Sequence, residues 1–226
     1  MRRSLLALAI TLSVSISAVQ ARENHQKGGD ISRVNGGITA EAGTTYGDLG
    51  TVNGGISVRK GATAQDVETV NGGITLDDDA SVSSVSAVNG GIRGGERVKV
   101  ARDVETVNGG IRFDFHSKVG GDISTVNGGI TIKQTTVSGK LRTVSGDITV
   151  GAQSLVQDGI LVEKSQGISW GKPRIPRIVI GPDATVKGDL RFEREVELFV
   201  HTSAKVGPVS GATASAYTDS LPSKAD

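Results

Sequence analysis

The phrase Val-Asn-Gly-Gly-Ile occurs six times, beginning at Val34, Val52, Val70, Val88, Val107 and Val126. A seventh, degenerate copy, Val-Ser-Gly-Asp-Ile, begins at Val144, and the intervals are 18, 18, 18, 19, 19 and 18 residues. A period this short and this constant defines a solenoid, in which each repeat buries its apolar face only by stacking on its neighbours.

Aligning the copies on Val as the first position locates the inward residues. The fifth position is always Ile: Ile38, Ile56, Ile74, Ile92, Ile111, Ile130 and Ile148. The seventh is apolar at Val58, Leu76, Phe113, Ile132 and Val150, with Ala40 and Gly94 as small exceptions. The thirteenth is Tyr46, Ala64, Val82, Val100 and Val119, and near the sixteenth fall Leu49, Val67, Val85, Val104, Ile123 and Leu141. A spacing of two puts both side chains on one face of a strand. Each coil therefore offers three short strands. They join at three corners: Asn-Gly-Gly, a variable corner such as Arg59-Lys60-Gly61 or Asp77-Asp78-Asp79, and one built on Asp, as in Gly47-Asp48 and Gly121-Asp122. No run keeps a helical period, and Gly and β-branched residues are too frequent for helix. The expectation is an all-β, single-stranded parallel β-helix with coils of about 18 residues. Seven layers would rise roughly 35 Å.

Composition agrees with a narrow stack: 32 Gly and only 3% aromatic residues leave little to fill a wide interior. The N-terminus reads as a Sec signal peptide, residues 1–21, with Arg2 and Arg3, an apolar run from Leu5 to Val19, and small residues before a cut after Ala21. Removing it takes two of the 25 basic residues and leaves 23 against 24 acidic ones, a net charge of −1. A near-neutral surface argues against nucleic acid as a partner. No second apolar span follows, so no transmembrane segment is expected in the mature chain. The chain has no Cys, so it forms no disulfide. The address expected is periplasmic or secreted.

The motif ends at Val150. Residues 22–33 are expected to cap the repeats of 34–150, and 151–177 to form an irregular insertion containing Trp170, Pro173 and Pro176. An apolar rhythm returns over 178–210, through Ile178, Ile180, Val186, Leu190, Phe192, Leu198 and Val206, as further coils. Residues 211–226, rich in Ala, Ser, Thr and Pro, read as a disordered tail.

The Val-Asn-Gly-Gly-Ile and Val-Ser-Gly-Asp-Ile phrases, over about residues 28–150, resemble a bacterial adhesin-like family of β-strand-repeat proteins of unknown function. Ile178-Val179-Ile180-Gly181-Pro182-Asp183-Ala184-Thr185-Val186-Lys187-Gly188-Asp189-Leu190, within about 178–209, is similar to bactofilin, a polymer-forming cytoskeletal β-helix. That resemblance implies a right-handed helix and end-to-end assembly. The chain departs from bactofilins in its signal peptide and in the segment around Trp170.

Among chemistry-bearing residues, Asn35, Asn53, Asn71, Asn89, Asn108 and Asn127 form a column at the glycine corner. A stacked amide ladder is the structural reading, and a row of glycan ligands the functional one; the turn glycines beside it favour the ladder. Asp30, Asp48, Asp66, Asp103 and Asp122 form a second column, read as turn caps. The Ca²⁺-binding Gly-Gly-x-Gly-x-Asp nonapeptide is absent, so no metal site is assigned. His25, His116 and His201 are the only histidines and lie far apart. The corner Asp114-Phe115-His116 is the one place where an exposed aromatic adjoins a histidine. Coils this tight carry no long loops to build a cleft, so no catalytic residues and no cofactor are assigned. Arg93, Arg97, Lys99, Arg102 and Arg112 cluster in two coils but are interleaved with Glu96, Asp103, Glu105 and Asp114, a mixed solvated face. The function expected is that of a non-enzymatic exported envelope protein, adhesin-like or structural, meeting an unknown envelope or surface partner through its faces. A self-assembling scaffold, and a glycan-binding or glycan-modifying protein, are the alternatives.

Overall fold

The computed structural model of the chain describes residues 28–165 and 174–218. They form a parallel β-solenoid of about 10 coils of about 18 residues, without helix. Every strand pair is parallel, and identical positions sit in register, as in Ile56↔Ile74 and Asn53↔Asn71.

Three faces carry the stack. The first is a 10-stranded sheet containing the repeated Ile, from Ile38–Ala40 to Ala214–Tyr217. The other two faces merge into one 16-stranded sheet. The merger occurs where Thr63–Asn71 and Ser81–Asn89 run unbroken through the corner between them. The reason lies in one residue. Val82 and Val85 are three apart, whereas Val100 and Val104, Val119 and Ile123, and Val137 and Leu141 are four apart. The added residue ends one strand at Val100 and starts the next at Val104. In the coil beginning at Val126, one residue is also lost between Ile132 and Thr135, so the interval stays at 18 while Val137 takes the inward place.

The interior is a set of aliphatic columns: Ile38, Ile56, Ile74, Ile92, Ile111, Ile130, Ile148 and Ile178 are all within 2% of full burial. Each such side chain stabilises the fold by roughly 1.5–3 kcal/mol. A column of small residues, among them Ala62, Ala80, Ser117, Thr135, Ser154 and Ala184, fills the second corner. There the backbone turns left-handed at one residue per coil. Gly43 and Gly61 hold this place first, then Asp79, Arg97, His116, Gln134, Gln153 and Asp183, with φ between 42° and 66°. Each of these residues from Gly43 to Gln153, for instance His116 N to Gln134 O at 2.9 Å, donates its N–H to the coil that follows. The stacking bonds thus hold a conformation that a non-glycine residue adopts only at a cost.

The structure moves several boundaries. A strand already begins at Ile31 and pairs with Leu49–Asn53, inside the segment expected to be a cap ending at residue 33. Leu155–Val156 and Ile160–Val162 stay in register with the coil before them. The coil therefore continues past the expected boundary at 151 to Val162, and residues 163–165 leave it beside the glycine corner. Trp170 and Pro173 lie outside the described residues. The expected tail is a strand over Ala214–Tyr217, paired with Glu197–His201, because Ala and Ser side chains suffice for a last layer on one face. Among the described residues, no helix is long and apolar enough to cross a membrane.

Candidate functional site

Because the repeats are in register, the surface is organised in columns. The six asparagines stand exposed at the glycine corner. Asn53, Asn71, Asn89, Asn108 and Asn127 each donate Nδ2–H to Oδ1 of the asparagine one coil earlier, at 2.9–3.1 Å. Each amide inside the ladder, from Asn53 to Asn108, keeps one N–H and one lone pair unused by it.

Beneath the same corner lies a column the motif analysis missed. Thr51, Thr69, Thr106 and Thr125 are at most 3% exposed and donate their hydroxyls to Gly36, Gly54, Gly90 and Gly109 O at 2.8–3.0 Å. The signal was present as the Thr that precedes Val in Thr-Val-Asn-Gly-Gly, but a hydroxyl at an inward position does not read as core.

The aspartates are held by turn amides. Asp30 Oδ1 accepts the N–H of Asp48 at 3.0 Å, Asp48 that of Asp66 at 3.2 Å, and Asp103 that of Asp122 at 2.8 Å. Asp66 instead accepts the Ser84 hydroxyl at 2.7 Å and pairs with Arg102. Among the described residues no three such groups converge as metal ligands. Stacked charge nevertheless acts on the neighbouring column. Desolvation, then the carboxylates of Asp66 and Asp48, push Glu68 above the usual carboxylate range. Desolvation, then Asp103 and Asp122, does the same to Glu105.

Beside those glutamates, Val52, Val70, Val88, Val107, Val126 and Val144 point outward and are half-buried, with Val34 48% exposed at the end of the column. The core does not use this valine stripe.

The basic cluster resolves into separate contacts. Arg97 binds Asp79 at 2.7 Å, Arg102 binds Asp66, and Arg112 reaches Asp114 at 3.3 Å. Arg93 has no ion-pair partner among the described residues. Arg93 and Arg112 border an open groove of about 530 Å³ that runs along the corner glycines Gly73, Gly91, Gly110 and Gly129.

His116 occupies a left-handed corner, with Phe115 39% exposed beside it and Lys133 Nζ 5.9 Å from the Phe115 ring centroid. His201 lies several coils away, bonded to Ser203 and to Thr218 O, so the stack does not bring the two histidines together. His25 lies outside the described residues. Compared with protein-family models, curated proteins and solved structures, the chain matches none of them.

Proposed function

We propose that the chain is a non-enzymatic exported envelope protein, adhesin-like or structural, that acts through the side faces of its solenoid. The observation that carries this reading is the pair of outward columns at the first corner, the half-exposed valines and the exposed asparagines. The core needs neither for burial, yet the valine recurs in seven successive coils and the asparagine in six. A partner meets such a surface as a repeated line of contacts rather than at a pocket. The apolar run between Leu5 and Val19 supports export.

Expression of the full chain in a bacterium, followed by osmotic release and mass measurement, tests it. Protein cut after Ala21 and held by the envelope is expected. Retention should fall in Val70→Glu/Val107→Glu, whose substitutions point outward and leave the core intact. An uncut cytosolic chain, or a variant retained as well as the parent, overturns the reading.

The second reading is end-to-end self-assembly. Ile31–Asn35 and Ala214–Tyr217 each pair on one side only among the described residues, and such edges template further strands.

A further inference from the structure

The groove beside the glycine corner has a donor set that neither the core nor the stacking accounts for. The carbonyl of Gly90 points inward to the buried hydroxyl of Thr106 at 2.8 Å, and that of Gly109 to Thr125 at 3.0 Å. The peptide bonds are trans. In a trans peptide the N–H points opposite to the C=O. The N–H groups of Gly91 and Gly110 therefore face outward. Both glycines are exposed, and neither N–H has a hydrogen-bond partner among the described residues. With no side chain at either position, a ligand can approach the backbone directly.

Two residues on from each amide stands an arginine. Arg93 and Arg112 are in register on adjacent strands of the first face, so their backbones lie about 4.8 Å apart. Like charges stacked this way repel unless an anion lies between them. Arg112 is tied to Asp114, whereas Arg93 is unengaged among the described residues.

We propose that this groove binds an acidic glycan, a linear oligosaccharide bearing carboxylate or sulfate groups, held by Arg93, Arg112 and the outward amides of Gly91 and Gly110. The guanidinium fork matches both oxyanions. The groove is open and spans four coils, from Gly73 to Gly129, which suits an extended chain. Thr75 and Thr131 on its wall offer neutral hydrogen bonds for sugar hydroxyls. Asp77, Asp78 and Asp114 line the adjoining hollow with Arg93 and repel a densely charged polymer. Among the described residues no aromatic side chain lines the groove to stack bases, which disfavours nucleic acid. The inference rests on the reading that the side faces make the contacts, and adds which face and which ligand chemistry.

The test is an amide NMR titration of the ¹⁵N-labelled protein with four polymers: an oligogalacturonate, a sulfated oligosaccharide, a neutral gluco-oligosaccharide of equal length and inorganic polyphosphate. Saturable shifts of the Gly91 and Gly110 amides with an acidic glycan are expected, and the one that binds more tightly identifies the oxyanion. The neutral oligomer should leave both unmoved. Arg93→Gln/Arg112→Gln should weaken binding at least about tenfold. Arg97→Gln, whose guanidinium serves Asp79, should not. Absence of shifts, equal binding of the neutral oligomer, tighter binding of polyphosphate, or an unchanged double variant overturns the proposal. A protein still held by the envelope through its valine face, but blind to both acidic glycans, overturns this inference and leaves the functional reading standing.

Discussion

The ring of Phe113 occupies the space that a side chain on Gly94, one coil earlier, would need: a β-carbon there would stand 2.5 Å from both Cδ1 and Cε1. Among the described residues Phe113 is the largest fully buried side chain, and Gly94 is its partner in register. Two departures from the repeat are thus one packing solution. Gly94→Ala should cost about 1–3 kcal/mol through overpacking. Phe113→Leu should cost about 1–2 kcal/mol through lost burial. Combined, they should cost less than their sum, because the smaller residue vacates the space the methyl needs. Urea denaturation of the four proteins in the cycle measures the coupling.

The buried hydroxyl column makes a paired prediction. Thr106→Val removes the donor to Gly90 O and should destabilise by about 1–2 kcal/mol. Ala87 holds the equivalent place in the coil before, and Gly72 O accepts no bond there among the described residues. Ala87→Thr supplies the missing hydroxyl and should raise the denaturation midpoint.

At the glycine corner the backbones touch. A β-carbon on Gly90 would stand 1.8 Å from Gly72 O. Gly90→Ala must therefore push two coils apart, and a loss of about 3 kcal/mol is expected. Gly50 meets only Ser32 Oγ, at 3.9 Å, on an outer strand face. Gly50→Ala should be neutral or stabilise by about 0.5 kcal/mol, since it lowers unfolded-chain entropy. Thermal denaturation separates the two.

The raised glutamates set a pH dependence. A carboxyl whose folded pKa lies above its unfolded value binds more protons in the folded state, so its contribution to stability falls as pH rises. For Glu68 and Glu105 that fall begins near the ordinary value of 4.5 and is complete above their raised folded values. Glu68→Gln/Glu105→Gln should melt higher than the parent at pH 7, and the advantage should close as the pH drops below 4.5. Melting curves across that range check the sign.

What could be read from the residues follows from what the core demands of them. The repeated Ile announced itself because each layer needs the same apolar group at the same place, and stacking turns that need into an 18-residue period. The left-handed corner did not, because its demand falls on the backbone: Asp79, Arg97, His116 and Gln134 share a conformation and no chemistry. Leu155–Val156 was hidden because the glycine phrase had ended while the coil had not. Ala214–Tyr217 was hidden because small Ala and Ser side chains pair in a strand as readily as they furnish a loose tail. At the surface, the asparagine column was visible as a motif. The Arg93 groove was not, since it depends on which neighbouring arginines already have a carboxylate.

The central claim is that this solenoid meets its partners through its side faces and not by adding coils end to end. Light scattering after size exclusion of residues 22–226, over a wide range of protein concentration, tests it most directly. The account predicts one constant mass, that of a monomer. A mass that grows with concentration would contradict it and make stacking at the exposed edges of Ile31–Asn35 and Ala214–Tyr217 the working contact.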